Sequence, residues 1–433
     1  MKTTSFQIIL LAVFAGLAVV GVLIFAFAIG GVSNNKVGAV SIWGTLDGST
    51  FTTLLRKFAD TDSSFLQVTY IQKDPKTFDA ELTQAIASGT GPDLFILRQD
   101  YAIYDSGVIQ PIPYTSLSRA QFESTFVEVA NPFLVDKGVL AVPLFADPLV
   151  LYWNKDILSS NGFAEPPQYW DQLPTMVATI TKKNDAGQIT LATIPMGEYA
   201  NVDNAKDILS LLILQAGGMI TVYDEGKLKP VLEGAAGSRL GATEKALDFY
   251  TSFANPSRDA TYTWNRSLQG SRAQFAAGGA TLYLGFASED PLIKKMNPNL
   301  NFGIAKIPQI HNASTTIGVA RVYGLAIPRN AKNPSGSLTL AYLLASSVNA
   351  EAAAEAFGLP TARRDILSKP ADGNAGVFKT EVIRGHSWVD PDPVATEGIF
   401  KSMIENTTSG SVPLLADVVQ RAQQQMDHVF GIQ

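Results

Sequence analysis

Residues 138–154 read GVLAVPLFADPLVLYWN, two strand-like apolar runs with almost no helical pattern between them, interrupted by Pro143 and Pro148. Proline cannot donate to a sheet ladder, so it is unexpected inside a central strand. A lone carboxylate, Asp147, sits between Ala146 and Pro148. This pattern is that of a chain crossing from one lobe to another rather than of the interior of one sheet. A second extended run, GVARVYGLAIP at 318–328, reads as the return crossing. Two crossings mean that neither lobe is one continuous segment and that a cleft lies between them.

Upstream of the first crossing, strands alternate with helices. KVGAVSIWG (36–44) reads as a buried strand, and Phe51, Leu54, Leu55 and Phe58 then share one helical face. FLQVTYIQ (65–72) alternates as a strand does. Phe78, Leu82, Ala85 and Ile86 form the apolar side of a helix, PDLFIL (92–97) is a third strand, and YAIYDSG (101–107) starts another helix. This βαβ rhythm predicts an α/β fold with a mostly parallel sheet. Downstream, helical patterns dominate at 170–183, 204–216 and 243–254, and MITVYDEGKLKPVL (219–232) predicts a hairpin turning at Asp224-Glu225-Gly226. Asn333-Pro334 places a cap and a first-turn proline at the start of a later helix. No internal repeat or low-complexity tract is present.

The 433 residues are 46% hydrophobic and 17% charged, an ordinary globular composition, with a net charge of −6. No long basic run occurs, so nucleic acid is not an expected partner. Cysteine is absent. That excludes disulfides, thiolate metal sites and thiol nucleophiles. No cofactor is expected. From Ile8 to Val32 every residue is apolar or Gly, a run of roughly 37 Å as a helix, enough for a bilayer core of about 30 Å. Lys2 lies on its short side, which predicts a cytoplasmic N-terminus and an exported body. A cleavable signal ending at Ala26-Phe27-Ala28 is the competing reading, but its apolar region is usually only about 7–15 residues. Residues 1–35 are therefore expected to form a short stub, an anchor over about 8–32 and a leash.

Several segments, taken in order, resemble the extracellular solute-binding proteins that serve sugar-type ABC importers, the maltose-binding kind included. They are GTGPDLFIL (89–97), LYWNKDIL (151–158), GFAEPPQYWDQL (162–173), FAAGGATLYLGF (275–286), GLAIPRNAKNPSGSLTLAYLLAS (324–346), FGLPTARRDIL (357–367) and IFKSMIENTTSG (399–410). The resemblance implies a two-lobed, type II periplasmic-binding-protein-like fold. On that basis residues 36–146 and 317–372 would form lobe 1, and residues 147–316 and 373–433 lobe 2. It also implies capture of a carbohydrate or similar polar solute and delivery to the permease subunits of an importer. Many relatives carry a lipidated cysteine after the signal sequence. Here that residue is missing, and the apolar helix in the bilayer would serve as the tether, making this a single-pass protein of the cell membrane with most of its chain outside.

No constellation for catalysis stands out. His311, His386 and His428 are far apart in sequence, and no His-Glu-x-x-His, Gly-x-Ser-x-Gly or phosphate-loop pattern occurs. Carboxylates are plentiful, yet nothing singles out a glycosidase pair. An enzyme is not expected. The alternatives to transport are an anchored ligand-sensing module of a signalling complex and, less favoured, an anchored glycan-degrading enzyme.

A sugar site needs planar polar side chains around the ring and aromatic faces above or below it, beyond the carboxyl ends of strands. The candidates are Trp43 and Asp47 after the first strand, Gln99 and Asp100 after the third, Asp147 in the first crossing, Phe286 at a strand end, Arg321 in the return crossing, and Trp388 in GHSWVDPDP. Tyr152 and Trp153 point to opposite faces, and alternation alone does not say which one meets the cleft. The resemblance favours Trp153, next to Asn154, as the packed ring, which leaves Tyr152 for the ligand.

Overall fold

The computed structural model describes residues 37–235 and 241–431. The expected anchor at 8–32 lies outside the described residues. Among the described residues no helix is long and apolar enough to cross a membrane.

One eight-stranded sheet runs through the molecule, and two long strands organise it. The outgoing strand, Ala141–Asn154, is continuous over 14 residues despite its two prolines. The return strand, Gly318–Ala326, pairs with it antiparallel from Ala326↔Ala141 to Ala320↔Pro148. The expected interruption at Pro143 is instead a register shift between Tyr323 and Gly324 that absorbs the missing N–H. Gly324 allows the close approach there, since a Cβ would lie 2.9 Å from that of Ala141. Next to the irregularity, Leu144 C=O accepts from Ala362 N–H, and Ala146 N–H donates to Pro360 C=O.

On one side of the crossing, Val40–Gly44, Val68–Gln72 and Leu94–Arg98 form the parallel part of the sheet. The return strand joins it antiparallel, with Tyr323 opposite Arg98. On the other side, Leu282–Phe286 and Phe302–Ala305 flank the second half of the outgoing strand, both antiparallel to it. The sheet is therefore mixed rather than mostly parallel, because a chain that passes over and comes back must run in both directions. The 101–107 segment, expected as a helix, forms two short 3₁₀ turns at Gln99–Tyr101 and Tyr104–Gly107.

Both halves bury apolar side chains, which form one continuous cluster through the crossing strands. Helix Gly48–Ala59 buries Phe51, Leu54, Leu55 and Phe58, the face its periodicity predicts, and Phe51 stacks on Tyr70 with ring centroids 4.2 Å apart. In the other half Tyr152, Phe275, Tyr283 and Phe302 form one ring cluster with centroids about 6 Å apart. Asn333 caps helix Pro334–Leu344 by accepting from Gly336 N–H at 2.9 Å. Within the first half, Asp93 ties the parallel strands to the segment that follows the return strand. Its buried carboxylate accepts from Ser41 N–H and Oγ at 2.9 Å and from the backbone N–H groups of Lys332 and Asn333 at 3.1 Å.

Asp93→Ala leaves three backbone donors without their acceptor, and each orphaned donor costs about 1–3 kcal/mol. Urea unfolding of this variant should show a loss of about 3 kcal/mol or more.

Candidate functional site

The parallel strands end at the crossing, and a cavity of about 270 Å³ opens there. Its near wall follows strand Leu94–Arg98 and consists of Arg98, Gln99, Asp100 and Tyr101. Val319, Ala320 and Arg321 of the return strand form the floor. Helix Ala205–Gln215 brings Lys206, Asp207 and Ser210 to the far wall, and the segment from His386 to Glu397 closes the top. Both halves of the molecule thus contribute to one cavity, at the carboxyl end of the parallel strands where ligands of open α/β sheets are found.

Its charges are paired. Arg98 binds Asp100 through two bonds of 2.6 Å, Nε to Oδ1 and Nη2 to Oδ2. Burial works to raise the Asp100 carboxyl, but the adjacent Arg98 outweighs it and holds the group below its ordinary value. Arg321 Nη2 donates to Asp207 Oδ2 at 2.6 Å. Its guanidinium lies 3.8 Å from the centroid of the Phe286 ring. Lys206 Nζ donates to Asp390 Oδ2 at 2.8 Å and to Thr396 Oγ1 at 2.7 Å. The Tyr199 hydroxyl donates to Glu397. Two aromatic rings complete the walls. Tyr101 lies under the Arg98 guanidinium at 4.9 Å, and Trp388 stacks on Phe400 at 6.0 Å with Lys206 Nζ 5.3 Å from its centroid.

Of the residues named from sequence, Gln99, Asp100, Arg321 and Trp388 come together on this cavity. The others are placed elsewhere. Trp43 is half-buried against the core under Lys73 Nζ, 3.8 Å from its ring. Asp47 caps helix Gly48–Ala59, accepting from Ser49 Oγ and from Thr50 N–H and Oγ1, and these bonds pull its carboxyl down to about 2. Tyr152 is fully buried in the ring cluster, and its hydroxyl donates to Phe286 C=O at 2.7 Å. Trp153 faces the other way, half-buried beside Pro166 and Pro167 in a surface groove away from the cleft. Neither ring of the pair lines the cavity, because the strand turns both of its faces toward the second half's own packing. Phe286 is buried beneath Arg321 and supports that side chain rather than lining the cavity itself. Asp147, opposite Arg321 in the strand register, accepts from Ser288 N–H at 2.9 Å, while its Oδ2 is buried without a partner.

The cavity also holds residues that sequence reasoning passed over, namely Tyr101, Lys206, Asp207, Ser210, His386, Asp390 and Glu397. One signal was available. In AKDILSLLILQ (205–215), Lys206, Asp207 and Ser210 are the only polar residues before Gln215, and their spacing puts them on one side of an otherwise apolar helix. Charges in such a helix need partners.

A fold of two α/β halves, joined by paired crossing strands with a polar and aromatic cavity at their junction, defines a ligand-binding protein. Residues 54–377 match the bacterial extracellular solute-binding protein family, and the chain belongs to it. It is similar to an ABC transporter solute-binding protein from Thermotoga lettingae TMO solved with α-D-tagatose, at 18% identity over 91% of this chain and 100% of that one, with a TM-score of 0.69. It is also similar to the cyclic α-maltosyl-1,6-maltose binding protein of Arthrobacter globiformis, at 14% identity over 90% and 98% of the two chains and a TM-score of 0.74. These likenesses show the two-lobed periplasmic-binding fold. A chain of Brucella abortus (strain 2308) whose name assigns it as a binding protein is 29% identical over 103 residues, which cover 23% of this chain and 25% of that relative's length.

Two outcomes follow from the placement of the named residues. Tyr152→Phe leaves the Phe286 carbonyl without its buried donor and should cost about 1–3 kcal/mol in urea unfolding, with ligand affinity unchanged. Burial pushes the Asp147 carboxyl up to about 6, against the opposing pull of the Ser288 bonds and of Arg321. An unfolded Asp releases its proton near pH 4, so between about pH 4 and 6 the folded state holds the extra proton and the Asp147 contribution to stability falls as pH rises. Asp147→Asn should flatten that part of the pH profile and raise stability at pH 8 by up to about 3 kcal/mol, read from urea unfolding at pH 4 and pH 8.

Proposed function

We propose that this protein is an extracytoplasmic receptor that captures a carbohydrate or similar polar solute between its lobes and delivers it to an ABC-type importer. The observation that carries this reading is the cavity at the crossing, whose polar walls and aromatic rings come from both halves of the chain. Lobe 1 comprises residues 36–146 and 317–372, and lobe 2 residues 147–316 and 373–433. A ligand that touches both walls only when the lobes are closed favours the closed form by its differential affinity. The names of the solved relatives, tagatose-bound and maltosyl-maltose-binding, support a sugar as the solute and an importer as the partner. The apolar run at 8–32 supports a single-pass tether that keeps the body outside the cell membrane. The walls pair their charges internally and present no nucleophile–base couple, which favours capture without conversion.

The test is a thermal-shift panel of sugars and other polar nutrients on the full chain in a sugar-free detergent. A true solute at 100 times its dissociation constant should stabilise the folded state by about 2.7 kcal/mol. A cooperative melt that no member of the panel moves argues against the reading.

A further inference from the structure

Among the described residues, two buried polar atoms on the cavity lining, Ser210 Oγ and Arg321 Nε, have no hydrogen-bond partner, and the Gln99 amide nitrogen is a further donor. Ser210 is 2% exposed, and its Oγ has no hydrogen bond. Arg321 Nε is likewise buried and unbonded, although Nη2 of the same guanidinium is held by Asp207. Gln99 is 6% exposed, and its Oε1 is taken by Val322 N–H at 2.6 Å, which leaves the amide Nε2 for the cavity. Buried polar groups without partners cost stability, so they persist where something else completes them. Asp207 and Ser210 are three apart on one helix and hence neighbours on its surface, which puts Ser210 on the same cavity wall as the Asp207–Arg321 pair.

Two further observations restrict what completes them. The lining carries three cations, Arg98, Lys206 and Arg321, each already bound to a carboxylate within 2.8 Å, and a fourth carboxylate, Glu397. An anionic ligand finds no free positive charge here and would have to displace a carboxylate. The space is small as well. At about 270 Å³ the cavity lies below the usual range of about 300–1,000 Å³ for ligand pockets, room for one sugar ring. A second groove runs past Arg119, Glu128 and Tyr223 and adjoins this one at His386 and Ser387, which line both. Ser387 Oγ donates to Val129 C=O at 3.0 Å, a contact between the halves at that point that narrows the passage.

Resting on the receptor reading above, the geometry points to an uncharged, monosaccharide-sized polyol as the solute, with its hydroxyl oxygens accepting from Arg321 Nε, Gln99 Nε2 and Ser210 Oγ. Ser210 is then a specificity-determining contact that contributes nothing to the empty fold. Replacing an unsatisfied buried hydroxyl by a methyl group is neutral or stabilising for the protein alone, whereas a structural serine would lose stability on the same change.

The experiment is isothermal titration calorimetry of the full chain in a sugar-free detergent against neutral hexoses, pentoses and alditols, D-glucuronate, D-glucosamine and maltotriose, followed by melting and titration of Ser210→Ala. The expected result is 1:1 binding of a neutral monosaccharide or alditol. Ser210→Ala should weaken it roughly three- to tenfold and leave the ligand-free melting temperature unchanged or higher. Tighter binding of glucuronate, glucosamine or maltotriose overturns this inference and leaves the carbohydrate-receptor reading standing. A Ser210→Ala variant with unchanged affinity, or with a lowered ligand-free melting temperature, overturns the assigned contact. Cooperative melting with no binding of any of these sugars overturns both the inference and the receptor reading.

Discussion

The antiparallel pairing of Ala141–Asn154 with Gly318–Ala326 is the constraint on which the rest of the molecule depends. Through it the chain leaves one half and returns to it, so the halves are joined by two hydrogen-bonded strands rather than by a single tether. The two strands pair at the ends next to strand Leu94–Arg98 and diverge past Pro148. There the outgoing strand takes Leu282–Phe286 as its neighbour and the return strand takes Gly385–His386. The space at that divergence is where the cavity forms, and its floor residue Arg321 lies opposite Asp147 in the register. Bending at two extended strands needs only small backbone rotations, while the packing within each half is kept. The same pairing that joins the halves therefore allows them to move as units.

Electrostatics then shape the cavity. Each cation on the lining is fixed by a carboxylate, Arg98 by a neighbour two residues away and Arg321 and Lys206 by partners distant in sequence. Removing one member of such a pair leaves a buried charge uncompensated, which is far more costly than the pair itself is favourable. The pairs are accordingly better understood as fixing geometry than as adding stability. They hold planar donor groups in place before any ligand arrives, and preorganisation of that kind reduces the ordering cost of binding. The Phe286 ring beneath Arg321 has the same effect, since a guanidinium lying on an aromatic face has little freedom to turn.

Much of the fold was legible in the sequence because the signals are local. The helix at 48–59 shows its buried face in the spacing of Phe51, Leu54, Leu55 and Phe58, and Asn333-Pro334 marks a helix start by cap chemistry that operates within four residues. The two crossings were visible as long extended apolar runs. The continuity of the first was not, because the relief for Pro143 comes from a register shift against a strand nearly 180 residues later. The mixed direction of the sheet was hidden for the same reason. Among the site candidates, Gln99 and Asp100, which line the cavity, were named by position alone, a consequence of how parallel sheets present their ends. Asp47 and Tyr152 looked equally suitable by residue type, yet Asp47 is occupied by Ser49 and Thr50 and Tyr152 by the Phe286 carbonyl.

By itself, then, the amino-acid sequence determined the α/β class, most helix and strand positions, the double crossing and the apolar run before residue 33, since periodicity, capping and hydropathy act over a few neighbouring residues. Only the tertiary structure decided which polar side chains share the cavity and which of them are already occupied. Lys206 meets Asp390, and Asp207 meets Arg321, across more than a hundred residues of chain. No short-range pattern encodes such a meeting, because it depends on where elements distant in the chain come to rest against each other.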